Sequence, residues 1–169
     1  MRIAVLSDTH APRRWKRCPP AVAEHLDGVD LILHAGDVCR PDVLDELSAW
    51  APVRAVRGNN DGPDIATWGA PETLELDLDG LPAAMIHDSG AASGRVRRMA
   101  ARFPQARLVV FGHSHIPLDE DHPADRMHGA IRLFNPGSPT DRRRQPRGTM
   151  GLLRIEHGEV IDARIVPVS

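Results

Sequence analysis

Short apolar runs closed by polar turns dominate the chain, and they predict strands more than long helices. Arg2–Ser7 is the first, followed by Val29–His34 and Val53–Arg57. Across Thr73–Asp79, Leu74, Leu76 and Leu78 alternate with Glu75, Asp77 and Asp79, the two-residue period of a strand with one buried face. Asp79-Gly80 is a hairpin signal, and Leu81–Ile86 is its returning strand. Proline donates no ladder hydrogen bond, so Pro82 confines the start of that strand to an entry or an edge. Leu108–Phe111 and Ile131–Phe134 follow, then Leu152–Glu156 and Val160–Val166, which turn about His157-Gly158.

Helices fill some of the gaps. Pro19–Leu26 and Pro41–Ala49 each open on proline, which suits a first helical turn. Val96, Met99, Ala100 and Phe103 recur at helical spacing, with Ser93 as the expected cap. Asp119–His128 and the arginine-bearing Pro139–Arg147 read as polar loops. Strands mixed with helices and hairpins predict an α/β fold of packed layers with antiparallel parts.

Composition narrows the class. A length of 169 residues favours one domain, residues 1–169, with a core that needs no disulfide staple. The chain is 41% hydrophobic and 26% charged, ordinary for a globular protein. Its formal charge of -2 argues against a dedicated nucleic-acid binder, which shows a basic excess. No apolar run reaches the roughly 18 residues of a membrane helix. Met1–Asp8 meets a carboxylate too soon for a signal peptide. Cys18 and Cys39 form no CxxC, and a reducing cytoplasm is the expected compartment.

The chemistry lies where the strands stop. Ser7-Asp8-Thr9-His10 follows the first strand, Ala35-Gly36-Asp37 the second and Gly58-Asn59-Asn60-Asp61 the third. His87-Asp88 follows Leu81–Ile86, and Gly112-His113-Ser114-His115 follows Leu108–Phe111. Ligands bind at the carboxyl ends of strands in open α/β sheets. Asp8, His10, Asp37, Asn59, His87, His113 and His115 offer two carboxylates, one amide and four imidazoles. That donor set suits Mn²⁺, Fe²⁺, Zn²⁺, Co²⁺ or Ni²⁺ and is too large for one tetrahedral ion. Taken singly, Asp8-Thr9-His10 reads equally well as structure, and Gly36-Asp37, Asn59-Asn60-Asp61 and His87 read more readily as turns or a hydrogen-bonded histidine than as ligands. Two imidazoles two residues apart after a buried strand are harder to explain by packing, and the ordered set is harder still. His34 reads either as a support of the site or as a buried strand residue. His25, His122, His128 and His157 read as solvated, as do Arg142, Arg143, Arg144 and Arg147.

These ordered blocks resemble the calcineurin-like metallophosphoesterase superfamily, with motifs DxH, GD, GNH[DE], a lone H and GHxH. Within it the chain is most similar to the small phosphodiesterases of the YfcE type, relatives of Vps29. Asn135-Pro136-Gly137-Ser138 belongs to the same likeness. The resemblance implies a four-layer αββα sandwich of two mixed sheets flanked by helices. It implies one metal at Asp8, His10 and His115 and a second at Asn59, His87 and His113, with Asp37 as the bridge. The Asn-Pro-Gly-Ser turn is expected beside the site, without binding metal. It also implies two divalent ions, Mn²⁺ foremost, a small phosphoester substrate, and a homodimer or homotetramer. The implied reaction is attack on phosphorus by a hydroxide held between the metals. A phosphomonoesterase and a Vps29-like interaction module without turnover are the alternatives. Two departures stand out. Asn60 replaces the family's histidine and cannot give up a proton, leaving Asn60 and Asp61 as candidate substrate-contacting or orienting residues. Asp88 adds a carboxylate where the family often has glycine, open to three readings: it orients a ligand imidazole, repels a phosphate or faces solvent.

Overall fold

A computed structural model describes residues 1–169. In chain order the elements are β1 (Arg2–Leu6), α1 (Pro20–Leu26), β2 (Leu31–His34), α2 (Pro41–Leu47), β3 (Val53–Ala55), α3 (Pro63–Trp68) and β4 (Thr73–Leu78). There follow β5 (Leu81–Ile86), α4 (Arg95–Arg102), β6 (Leu108–Val110), β7 (Leu118–His122), β8 (Ile131–Asn135), β9 (Thr149–Glu156) and β10 (Glu159–Pro167). They form two five-stranded sheets, ordered β10-β9-β1-β2-β3 and β4-β5-β6-β8-β7. Both sheets are mixed: in the first, β1, β2 and β3 pair in parallel while β9 pairs antiparallel with β1 and β10, and in the second, β5, β6 and β8 pair in parallel between the antiparallel edge strands β4 and β7.

Strand alternation assigns the two faces of the first sheet to different cores. Ile3 and Val5 of β1 point between the sheets, where they meet Met85, Leu108, Val110 and Phe134. Ala4 and Leu6 point outward and pack with Val22, Leu26, Val43, Leu44 and Ile65 from α1, α2 and α3. The second sheet turns Ala84, Val109 and Leu133 toward Met99 and Phe103 at α4. Helices therefore cover both outer faces, which gives the αββα layering of the calcineurin-like metallophosphoesterase fold.

Several local expectations change. The α3 helix was not anticipated; it is short, opens on Pro63 and stops at Gly69, whose φ of 114° is left-handed. Leu118–His122 is an edge strand paired with β8, not a loop. Ser93 does not cap α4; Gly94 takes that position with φ of 69° and no side-chain bond. Pro82 enters β5 at its second residue, opposite Asp77. No helix is long and apolar enough to cross a membrane.

Candidate metal centre

The parallel strands β1, β2 and β3 of one sheet and β5 and β6 of the other deliver their following loops to one place. All seven candidate ligands meet there. Asp8 Oδ1 lies 3.2 Å from His115 Nε2 and 3.9 Å from His10 Nε2. The two imidazoles stack, with their Nε2 atoms 3.3 Å apart. On the other side, His87 Nε2 lies 3.1 Å from Asn59 Oδ1 and 3.4 Å from Asp37 Oδ1. His113 Nδ1 reaches the same Asn59 oxygen at 2.9 Å. Asp37 spans the two groups, since its other oxygen, Oδ2, is 3.7 Å from His10 Nε2.

Backbone carbonyls fix the imidazole tautomers, because a carbonyl can only accept. His87 donates Nδ1–H to the Ala35 carbonyl at 2.7 Å. His115 donates Nδ1–H to the Asp141 carbonyl. In the neutral rings both Nε2 atoms are then bare acceptors, and each faces further acceptors. Lone pairs converge at two foci, one at His10, His115 and Asp8, the other at His87, Asn59 and Asp37. Each focus is suited to a cation, either a proton or a metal ion. Asp8 Oδ1 is buried and has no hydrogen-bond partner. An orphaned charged acceptor costs more than the roughly 1–3 kcal/mol of a neutral one. Residues of this kind fit a divalent ion, and Asp8, His10, His115 and Asp8, Asp37, His87 each gather ligand atoms within 4.8 Å of one another.

The loops adopt unusual backbone geometry to achieve this. Asp8, His10, Asp37, His113 and His115 have φ values of 57°, 50°, 55°, 65° and 58°. Non-glycine residues rarely enter this left-handed region, and such strain collects at functional sites. Two glycines admit the close approach of the loops. A Cβ on Gly58 would stand 2.2 Å from Asp37 Oδ1, and one on Gly112 would stand 1.9 Å from Ser7 Oγ.

Burial and partners set the charges. Burial by itself would raise the Asp37 pKa, but His87 and the N–H groups of Asn60 outweigh it and hold the carboxyl well below the usual range. Burial pulls His87 down, while Asp37, Asp8 and the Ala35 carbonyl carry it above its ordinary value. His115 is likewise raised by Asp8 against the pull of burial. At His10 burial wins and the pKa falls, despite Asp37 and Asp8.

Neighbouring residues hold these groups in place. Ser7 Oγ–H and the His113 N–H both donate to Asp8 Oδ2, at 2.6 and 3.0 Å. Asn60 donates its backbone N–H and its side-chain amide to Asp37. Asp61 accepts the N–H groups of Cys39 and Gly58 at 2.6 and 2.7 Å, which ties two loops together. Ser138 Oγ–H donates to the Asp8 carbonyl, so the Asn-Pro-Gly-Ser turn lies directly beneath the site. His34 is fully buried with Nε2 3.2 Å from Thr9 Oγ1, which makes it both a strand residue and a neighbour of the Asp8 loop. Asp88 is exposed and reaches to 3.9 Å from His113 Nε2, the ring nitrogen that faces away from Asn59.

Residues 1–158 match the calcineurin-like phosphoesterase superfamily domain. The chain belongs to that superfamily. A probable metallophosphoesterase from Methanothermobacter thermautotrophicus is 36% identical over 169 residues, covering 98% of this chain and 92% of the relative. Wild-type Vps29 from Entamoeba histolytica complexed with Zn²⁺ superposes with a TM-score of 0.76 at 20% identity over the whole of both chains. An archaeal phosphodiesterase superposes with a TM-score of 0.71 at 22% identity, over 98% of this chain and 100% of its own. The calcineurin-like phosphoesterases are metal-dependent hydrolases of phosphoric esters, and the donor set above is of that chemistry. Sequence reasoning missed Ser7, Cys39 and Asp141 as neighbours of the centre. Cys39 Sγ lies 3.7 Å from His10 Nδ1. Asp141 acts through its backbone carbonyl, which no residue type announces.

Proposed function

We propose that the chain is a metal-dependent phosphodiesterase hydrolysing a small phosphodiester in the cytoplasm. Asp8, His10 and His115 would hold one divalent ion and Asn59, His87 and His113 the other, with Asp37 shared between them. The observation that carries this reading is the pair of ligand-atom clusters joined through Asp37, whose Oδ1 faces His87 and whose Oδ2 faces His10. The mixed oxygen and nitrogen donors suit Mn²⁺, Zn²⁺, Fe²⁺, Co²⁺ or Ni²⁺ alike, and the family resemblance puts Mn²⁺ first. When bound, two such ions supply an activated water near neutral pH and offset charge on the phosphate.

The chain's own residues do the rest. Asp37 and Asp8 return two negative charges to the pair, and the surplus positive charge attracts a phosphate ester. Asn60 keeps both Asp37 oxygens fixed. Neither Asn60 nor Asp61 stands ready as an acid for the leaving oxygen: Asn60 holds no transferable proton, and both Asp61 oxygens accept backbone N–H groups. Without general-acid help, good leaving groups are favoured.

Chelator-stripped protein reconstituted with Mn²⁺ and given bis-p-nitrophenyl phosphate or p-nitrophenyl phosphate tests this. The expected result is metal-dependent turnover with a higher kcat/KM for the diester. Preference for the monoester would instead make the chain a phosphomonoesterase, and absence of metal-dependent turnover on both would favour a binding module.

A further inference from the structure

Two exposed arginines of the polar segment between β8 and β9 donate to backbone carbonyls, Arg142 to Gln145 within the segment and Arg143 to a residue outside it. Arg143 Nη1–H donates to the carbonyl of His113 at 3.4 Å. The segment that carries it is fastened to the metal-site loops. Ser138 Oγ–H donates to the Asp8 carbonyl at 2.8 Å, Thr140 Oγ1–H donates to the Thr9 carbonyl at 2.9 Å, and the Asp141 carbonyl accepts from His115. Ser138 Oγ also accepts the Asp141 N–H at 2.9 Å, which closes the turn. Arg143 itself has a φ of 49°, a left-handed backbone that an arginine adopts only where its surroundings hold it there.

Beside it lies a depression of about 420 Å³ lined without a hydrophobic residue, into which Arg14, Arg142 and Arg143 all reach. Asp141 is the aspartate in its lining, and Arg14 approaches it only to 3.8 Å. Arg14 belongs to the loop after β1, where its N–H donates to the His10 carbonyl at 2.9 Å. One wall of the depression thus extends the loop that carries His10, and the other is the segment whose Asp141 carbonyl accepts from His115. A guanidinium has five N–H donors in a planar fork suited to phosphate, and Arg143 uses one of them on His113.

We propose that Arg143, with Arg14 across the depression, forms an anion subsite next to the metal centre that selects phosphoesters bearing a second phosphate. The proposal rests on the phosphoesterase reading for the placement of the first phosphate, and it adds the substrate class. Arg143 is a specificity-determining residue, and it touches the substrate away from the reacting phosphorus.

The test is calorimetric and independent of turnover. Adenosine 3′,5′-bisphosphate and adenosine 5′-monophosphate are titrated into the Mn²⁺-loaded wild type and into Arg143→Ala, Arg143→Lys and Arg144→Ala. Arg144 is an exposed loop arginine and serves as the charge control. The wild type and Arg144→Ala are expected to prefer the bisphosphate by about tenfold or more, the scale of a charge-assisted hydrogen bond. Arg143→Ala collapses that ratio to near one, and Arg143→Lys retains part of it. Equal affinities in the wild type, no bisphosphate binding at all, or an undiminished ratio in Arg143→Ala would each overturn the subsite. A protein that shows the ratio yet hydrolyses no diester would keep the subsite and refute the phosphodiesterase reading instead.

Discussion

Asn60 clasps Asp37 through two hydrogen bonds, one from its backbone N–H to Oδ1 at 2.9 Å and one from its side-chain amide to Oδ2 at 2.6 Å. The residue that departs from the family motif is therefore engaged with the bridging candidate. Groups that orient a metal ligand typically account for about 10–100-fold in metal affinity or activity. Asn60→Ala is expected to weaken Mn²⁺ binding within that range while the circular dichroism spectrum stays native. Unchanged affinity would show that Asp37 needs no such clasp.

Gly58 shows how little room the loops leave. A Cβ there would overlap Asp37 at both Oδ1 (2.2 Å) and the backbone N (2.3 Å), and neither can yield without moving the bridge. Gly58→Ala is expected to cost about 1–3 kcal/mol of stability in a denaturant titration. It should also abolish Mn²⁺-dependent turnover. A variant with wild-type stability and activity would mean that the loop after β3 is looser than its geometry implies.

His34 gives stability a pH dependence. It is fully buried, its Nδ1 has no partner, and desolvation lowers its pKa from 6.5 to about 4, with Asp8 and Asp37 only partly opposing. Between those values the unfolded chain binds a proton that the folded chain refuses, so stability is present above pH 6.5 and is lost as pH falls toward 4. Each pKa unit corresponds to about 1.4 kcal/mol, so metal-free protein should lose roughly 2 kcal/mol through His34 between pH 7.5 and pH 5. Comparing that loss with the loss in His34→Asn isolates this residue from His87 and His115, whose raised values act in the opposite direction. Identical pH slopes in the two proteins would contradict the buried neutral imidazole.

Much of this architecture was legible because it is written in periodicity and in strand ends. Alternation over Thr73–Leu78 and the apolar run of Leu108–Val110 follow directly from which faces are buried. β7 escaped notice because Leu118, Asp119, Glu120, Asp121 and His122 carry no alternating apolar face; this edge strand is exposed on both faces at its centre, and its charged residues discourage further pairing. Its hold on β8 comes instead from ladder bonds and from Arg132, which grips Asp119 at 2.6 and 2.8 Å. The α3 helix lies between two glycines in a stretch that reads as turn chemistry, and it has too few residues to show a period. Within the site, side-chain donors were visible as residue types. The Asp141 carbonyl and the clasp of Asn60 on Asp37 were not, because they arise from tertiary approach alone. Arg143 read as one of several solvated arginines until its contact with His113 distinguished it.

Asp37→Ala tests the central claim most directly. Bound Mn²⁺ per chain and hydrolysis of bis-p-nitrophenyl phosphate are measured together on chelator-stripped, reconstituted protein, with the fold followed by circular dichroism. The account predicts two ions in the wild type, fewer in the variant, and no metal-dependent turnover from a variant that remains folded. Full occupancy with turnover retained in Asp37→Ala would contradict it.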